Sequence, residues 1–185
     1  MKSRHLITLA LSSLLLTSQP LLAGEKVELD YHYTGDTGVS LSGMMGGPLS
    51  INTFTDQRAI EDKHDINRAE HEDVTLSQAP ATVIQQAFQE AFASADAQLD
   101  DGETPLTLSG NLLEMEIVES ASGTEVLIRC ELTLNNQGRN AWQSVVFSRV
   151  AADDQALSAA IAKGLDRLVN ELFLDDYFLM ELGIF

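Results

Sequence analysis

The chain has 185 residues with 28 acidic and 11 basic side chains, a formal charge of −17. That excess argues strongly against nucleic acid, whose affinity comes from basic residues facing phosphates, and against docking on anionic lipid. A basic protein partner suits it, although solubility or a salt-tolerant host accounts for the acidity equally well. The length suggests one domain, and the single cysteine, Cys130, cannot close an internal disulfide. The fold therefore stands on its hydrophobic core, which a chain of this size can supply.

Lys2, Arg4 and His5 form a short basic start, Leu6 to Leu16 an apolar run, and Pro20 breaks it before Leu21-Leu22-Ala23. This is the pattern of a secretory signal peptide cleaved after Ala23. The apolar run is too short to cross a bilayer comfortably. Cleavage removes Lys2 and Arg4 and takes the charge from −17 to −19. The expected location is the periplasm, in soluble form. Gly24 stands where an acylated lipoprotein would carry its cysteine, so no stable membrane anchor is expected.

Residues 24–47 read as an N-terminal strand and a glycine-rich linker ahead of a single α+β domain, residues 48–185. Lys26 to Tyr33 alternates, with Val27, Leu29, Tyr31 and Tyr33 on one side, which predicts an edge strand. Thr34 to Gly47 holds five glycines and no Gly-Lys-Ser/Thr, so it is a connection and not a phosphate loop. Met44 and Met45 are expected in a loop folded back on the domain rather than in a soft contact surface. Pro48 to Phe54 resumes extended structure, and Thr55 to Leu76 is dense in charge and reads as a solvated loop. Ile84, Phe88, Phe92, Ala95 and Leu99 make one helical stripe over Ala79–Leu99. Pro80 sits in its first turn, where a missing N–H costs nothing.

The stretch from Leu106 to Val150 predicts three consecutive strands. The central one, Glu125 to Leu134, puts Val126, Ile128, Cys130, Leu132 and Leu134 on one face, so Cys130 reads as a small buried hydrophobe. The other face carries Glu125, Arg129 and Glu131 and should meet water. In the preceding strand the apolar parity changes between Leu112 and Leu113, and Gly110-Asn111 is the expected site of a bulge or bend. In Trp142–Val150 either Val145 and Phe147, or Trp142, Val146 and Val150, face the core. Asp153-Asp154 should open a last helix with a stripe of Leu157, Ile161, Leu165, Leu168 and Leu172. The order strand, strand, helix, three strands, helix predicts an α+β two-layer sandwich, an antiparallel sheet with both helices packed on one face.

Few residues suggest chemistry. His64 and His71 with Asp62, Asp65 and Glu72 supply donors for a divalent metal, but the spacing is not that of an EF-hand or of a helical histidine pair. No Gly-x-Ser-x-Gly is present, and no set of titratable residues stands out, so the expectation is no enzyme and no cofactor. The leading reading is a secreted, non-catalytic accessory or binding protein acting through an envelope protein partner. The apolar tail from Tyr177 reads either as packing on the domain or as the protein contact, which would then be made by Tyr177, Phe178, Met180, Ile184 and Phe185. The alternatives are a metal-binding protein using residues 62–73 and an enzyme of unrecognised type. Self-association through the edge strand Val27–Tyr33 is a further expectation.

From Pro48 onward the layout resembles the small envelope lipoproteins of the YajG type and, more distantly, the auxiliary lipoproteins of envelope transport systems. Leu49-Ser50-Ile51-Asn52 and then Asp56-Gln57-Arg58 carry the resemblance, a strand running into an Asp-x-Arg loop, followed by a helix, three strands and a long helix. The resemblance implies an accessory role in the envelope and no catalytic residues. The departure is at Gly24, where those families have a lipidated cysteine.

Overall fold

Three strands far longer than the usual five or six residues carry the molecule. The computed structural model describes residues 24–68, 71–121, 123–152 and 155–184, so the expected signal peptide, Asp153-Asp154 and Phe185 lie outside the described residues. In chain order the elements are β1 (Lys26–Val27), β2 (Leu49–Ile51), β3 (Thr55–Asp56), β4 (Asp65–Arg68), β5 (Val74–Leu76), α1 (Pro80–Ser94), β6 (Leu106–Ser120), β7 (Gly123–Asn136), β8 (Arg139–Ala151), α2 (Leu157–Phe173) and α3 (Asp176–Leu182). The architecture is α+β, an open eight-stranded sheet of order β1-β5-β4-β6-β7-β8, with β2 and β3 also on β6.

The meander behaves as its alternation dictates. Val126, Ile128, Cys130, Leu132 and Leu134 are all fully buried, because side chains two apart share a face. Gln137 (φ 51°) and Gly138 (φ 78°) make the two-residue turn between β7 and β8, and two left-handed residues match the twist of the flanking strands. Ala141, left without a partner, then shifts the register by one residue and puts Trp142 opposite Leu134, Val146 opposite Cys130 and Val150 opposite Val126. Trp142, Val146 and Val150 therefore face the core, and Val145 and Phe147 face outward.

The bulge in β6 lies at Leu113, between Leu112 and Glu114, and not at Gly110–Asn111. Gly110 stays in register opposite Leu132. Its lack of a side chain serves packing: a Cβ there would sit 2.3 Å from Cε2 of Phe54. The extra residue at Leu113 switches the buried parity from Leu106, Leu108 and Leu112 to Met115 and Ile117.

The sheet is mixed, not antiparallel. β2, β3 and β4 lie one after another along β6, all parallel to it, while β4 and β5 are antiparallel and β5 and β1 parallel. Parallel neighbours need a long crossover, and the segment holding β5 and α1 supplies it. The charged run 55–76 thus contains three short strands where a solvated loop was expected. The N-terminal strand is also shorter than its alternation suggests, since only Lys26 and Val27 pair.

Among the described residues there are three helices rather than two. α1 stops at Ser94, short of the expected Leu99, and Asp96 (φ 63°) turns the chain out of it. α1 packs on β6 and the short strands beside it through Ile84, Phe88 and Phe92, while α2 covers β7 and β8 through Ile161, Leu165 and Leu172. Gly164 lets α2 approach closely, with its Cβ position 3.3 Å from Cδ1 of Ile128. The third helix, α3, is formed by the tail. The side chain of Asp175 accepts the Phe178 N–H at its start, and Gly183 (φ 78°) closes it, the residue that tolerates such a C-cap best.

Candidate interaction surface

The caps of α3 fix which of its side chains go in and which go out. Phe178, Leu179 and Leu182 are buried. Phe178 packs edge-on against Phe92 at 6.1 Å between ring centroids and against Trp142 at 4.9 Å. Asp175 holds the helix twice, since its other carboxylate oxygen accepts the Trp142 Nε1–H at 3.2 Å. The opposite side of the helix is left in solvent, with Tyr177 75% exposed and Met180 58%, three residues apart and so neighbours on its surface. Leu174, 74% exposed, stands just before its N-cap and begins a row that runs through them. At its far end the glycine loop docks on the C-cap, with Met45 N–H donating to Gly183 O and Gly46 N–H to Leu182 O. Met45, 78% exposed, extends the row. Asp176 and Glu181 are exposed beside it.

Of the five expected contact residues, Tyr177 and Met180 lie on this row. Phe178 belongs to the core and Ile184 is partly buried against it. Leu174, which the sequence reading does not single out, also belongs to the surface, and so does Met45, whose loop folds back on the domain as expected yet leaves its side chain exposed. The signal for Leu174 was its spacing from Tyr177 and Met180; Met45 reaches the row only through the fold.

The expected metal ligands are not brought together: among the described residues, no three His, Cys, Asp or Glu side chains form a group that could hold an ion. Each has a local task instead. Asp62 accepts the His64 N–H, and His64 Nδ1 lies 3.1 Å from Leu76 O. Asp65 accepts from the Thr75 hydroxyl at 2.6 Å. His71 Nε2 lies 2.8 Å from Glu119, and Glu72 is exposed.

The strongest polar clusters tie segments to one another. Arg68 Nε donates to Glu119 at 2.7 Å and its Nη1 to Glu25 at 3.1 Å, joining the β4 end, the β6 end and the N-terminus. The Arg68 hydrogen bonds hold the Glu119 carboxyl below its ordinary range. Asp56 and Arg58, the Asp-x-Arg pair of the sequence, form a buried ion pair with side chains 9% and 4% exposed. The N-terminal arm is strapped across the helices by side chains. Tyr31 OH donates to Asp166 at 2.7 Å, Tyr33 OH to Asn170 at 2.5 Å, and Glu90 accepts the Tyr33 N–H. Burial, then the Asp166 charge, pushes the Tyr33 hydroxyl up to about 12.

Cys130 is fully buried, and burial pushes its thiol up to about 12, the opposite of a reactive cysteine. Two surface clefts, one lined by Glu25, Arg68 and Gln155 and one by Arg58, Asn67 and Leu113, hold about 190 Å³ each, below the roughly 300 Å³ at which ligand pockets begin. Among the described residues no helix is long and apolar enough to cross a membrane.

No family model matches the sequence, and no curated protein does. Among solved structures the chain is similar to a Xanthomonas campestris protein of the DUF330 family model, with a TM-score of 0.64 at 13% identity, covering 80% of this chain and 92% of that one. It is also similar to a hypothetical protein of Chlamydia trachomatis, with a TM-score of 0.55 at 8% identity, covering 68% of this chain and 92% of the other. At such identities the likeness is one of fold.

Proposed function

We propose that this chain is a non-catalytic accessory protein of the bacterial cell envelope, exported by its N-terminal segment and acting through protein contacts. In this reading the helices form a second layer over the sheet, and α3 presents the contact surface at one end. The observation that carries the proposal is the group Leu174, Tyr177, Met180 and Met45, four large apolar side chains each more than half exposed, two of them on the short helix α3 anchored by Phe178 and one at each of its ends. Large side chains left in water together on one face serve binding more often than stability. The acidic rim of Asp176 and Glu181 calls for a partner surface that is apolar at its centre and basic at its edge. The resemblance carried by Leu49–Asn52 and Asp56–Arg58 supports the envelope setting. The absence of a catalytic role is part of the proposal. It is supported by the engagement of Asp56, Arg58, Arg68 and Glu119 in holding the fold.

A double variant, Leu174→Lys with Met180→Lys, tests this. Both side chains are exposed, so thermal stability should move by no more than about 0.5 kcal/mol. The partner crosslinked to the wild-type protein in the periplasm should be lost. Recovery of the same partners in the same yield would remove the α3 row from consideration.

A further inference from the structure

β8 is the last strand of the sheet and pairs only with β7. Its even-numbered residues turn their backbone groups inward, as the Ala152 N–H does in donating to Thr124 O at 2.8 Å. Strand geometry then turns those of the odd-numbered residues outward. Two of these carbonyls are met by side chains, Arg149 O by Arg167 at 3.3 Å and Ala151 O by Gln155 at 3.5 Å. Among the described residues, Gln143, Val145 and Phe147 have no backbone partner on that side. Beside them Val145 and Phe147 are 44% and 42% exposed. The usual devices that blunt an edge are missing: Arg139–Ala151 contains no proline and no lysine, and the one irregularity in its pairing lies near the turn, at Leu134/Asn135. A long, partly apolar edge is a template for another strand.

Charge says which strand. Leu132 to Ala152 contains no aspartate or glutamate, the longest such run after Gly24, and carries Arg139 and Arg149 in a chain of charge −17. The edge strand brings no carboxylate of its own, and Arg149 on it pairs with Glu125 of β7 behind it, so two acidic copies can meet here with little repulsion. We propose that the β8 edge pairs with the β8 edge of a second copy, antiparallel and two-fold symmetric about Val146, continuing the sheet across the dimer. This register sets Val145 opposite Phe147 of the second copy in both directions and Gln143 opposite its Arg149. No arginine faces an arginine. Apolar cross-strand pairs of this kind stabilise antiparallel ladders, and a two-fold axis makes one edge sufficient for both copies. The self-association expected at Val27–Tyr33 has less to work with, because only two residues there form a strand and the rest of the arm is tied to α1 and α2.

Sedimentation of the purified protein over roughly 1 to 100 µM tests the proposal. The wild type should be a dimer that dissociates on dilution. Val145→Pro removes one outward N–H and leaves the β7 ladder intact, and Phe147→Lys sets a charge against the apolar pair. Each should weaken association about tenfold or more. Hydrogen exchange on the wild type needs no variant: the amides of Val145, Phe147 and Arg149 should gain protection as concentration rises. A wild type that stays monomeric throughout, or a dimer that both variants leave intact with these three amides exchanging freely, overturns the proposal. So does a monomer whose β8 amides become protected only when a different protein is added.

Discussion

Asp56 and Arg58 stand two residues apart in a run crowded with charge, yet they form the most buried ion pair described. Arg58 donates through Nε and Nη2 to the Asp56 carboxylate, through Nη1 to Asp65 O and through Nη2 to Lys63 O. One guanidinium therefore closes the loop between β3 and β4. Burial works to raise the Asp56 carboxyl, and the hydrogen bonds and charge of Arg58 outweigh it, so the group is lowered. An unfolded chain then binds the proton more readily than the folded one. The pair's contribution is present above the ordinary carboxylate range, near 4, and is lost as pH falls through the folded value. Arg58→Ala should cost about 3–5 kcal/mol at pH 7, because it strands a buried carboxylate. The deficit should narrow as pH falls and Asp56 takes up a proton. Urea unfolding at pH 7 and pH 4.5 measures both effects; a loss under about 1 kcal/mol at pH 7 would show the pair to be idle. The motif itself was legible in the sequence, but its burial was not. The carbonyls that complete the site, on Lys63 and Asp65, reach it only because the chain turns back.

At the level of elements, legibility followed length and period. β7 declared both faces by strict alternation. β2, β3 and β4 are two to four residues each, too short for a period, and their partner β6 lies beyond α1 in the chain. The ambiguous phase of β8 was settled by the bulge at Ala141: the Gln137–Gly138 turn alone would set Ala141 opposite Leu134 and Val145 opposite Cys130, and the one-residue shift reverses that. α3 was hidden for a different reason. Its tail is apolar nearly throughout, so no face stands out until Asp175 and Gly183 are seen as caps and Phe178 as the anchor. Gly110 shows the limit of reading a glycine as a bend. It remains in the ladder and makes room for the Phe54 ring, which itself packs on Phe88 at 5.6 Å. Gly110→Ala should therefore destabilise by about 1–3 kcal/mol through overpacking. Phe54→Leu in the same chain should recover part of that loss, a coupling a double-mutant cycle reads directly. Equal costs of Gly110→Ala with and without Phe54 would place the strain elsewhere.

Taken whole, the molecule separates support from contact. The apolar sheet face, α1 and α2 make the core, and polar straps from Glu25, Arg68, Tyr31 and Tyr33 bind the N-terminal arm and strand ends to it. Among the described residues, exposed large apolar side chains cluster at the α3 row and at the outward pair on β8, with Leu99 apart from both. The proposed account gives the first to a partner with a basic rim and the second to another copy of the chain. His64, Asp62, Asp65 and His71 of the charged segment are engaged in turns, hydrogen bonds and an ion pair, and Cys130 in packing. The α3 row is the central element of this account. Its most direct test is a photo-crosslinking residue at position 177, introduced into the protein in living cells, with position 133 on the outer sheet face as control. The account expects one discrete adduct from position 177, absent from position 133 and lost when Leu174→Lys and Met180→Lys are added. No adduct from position 177, or one that survives those two substitutions unchanged, would contradict it.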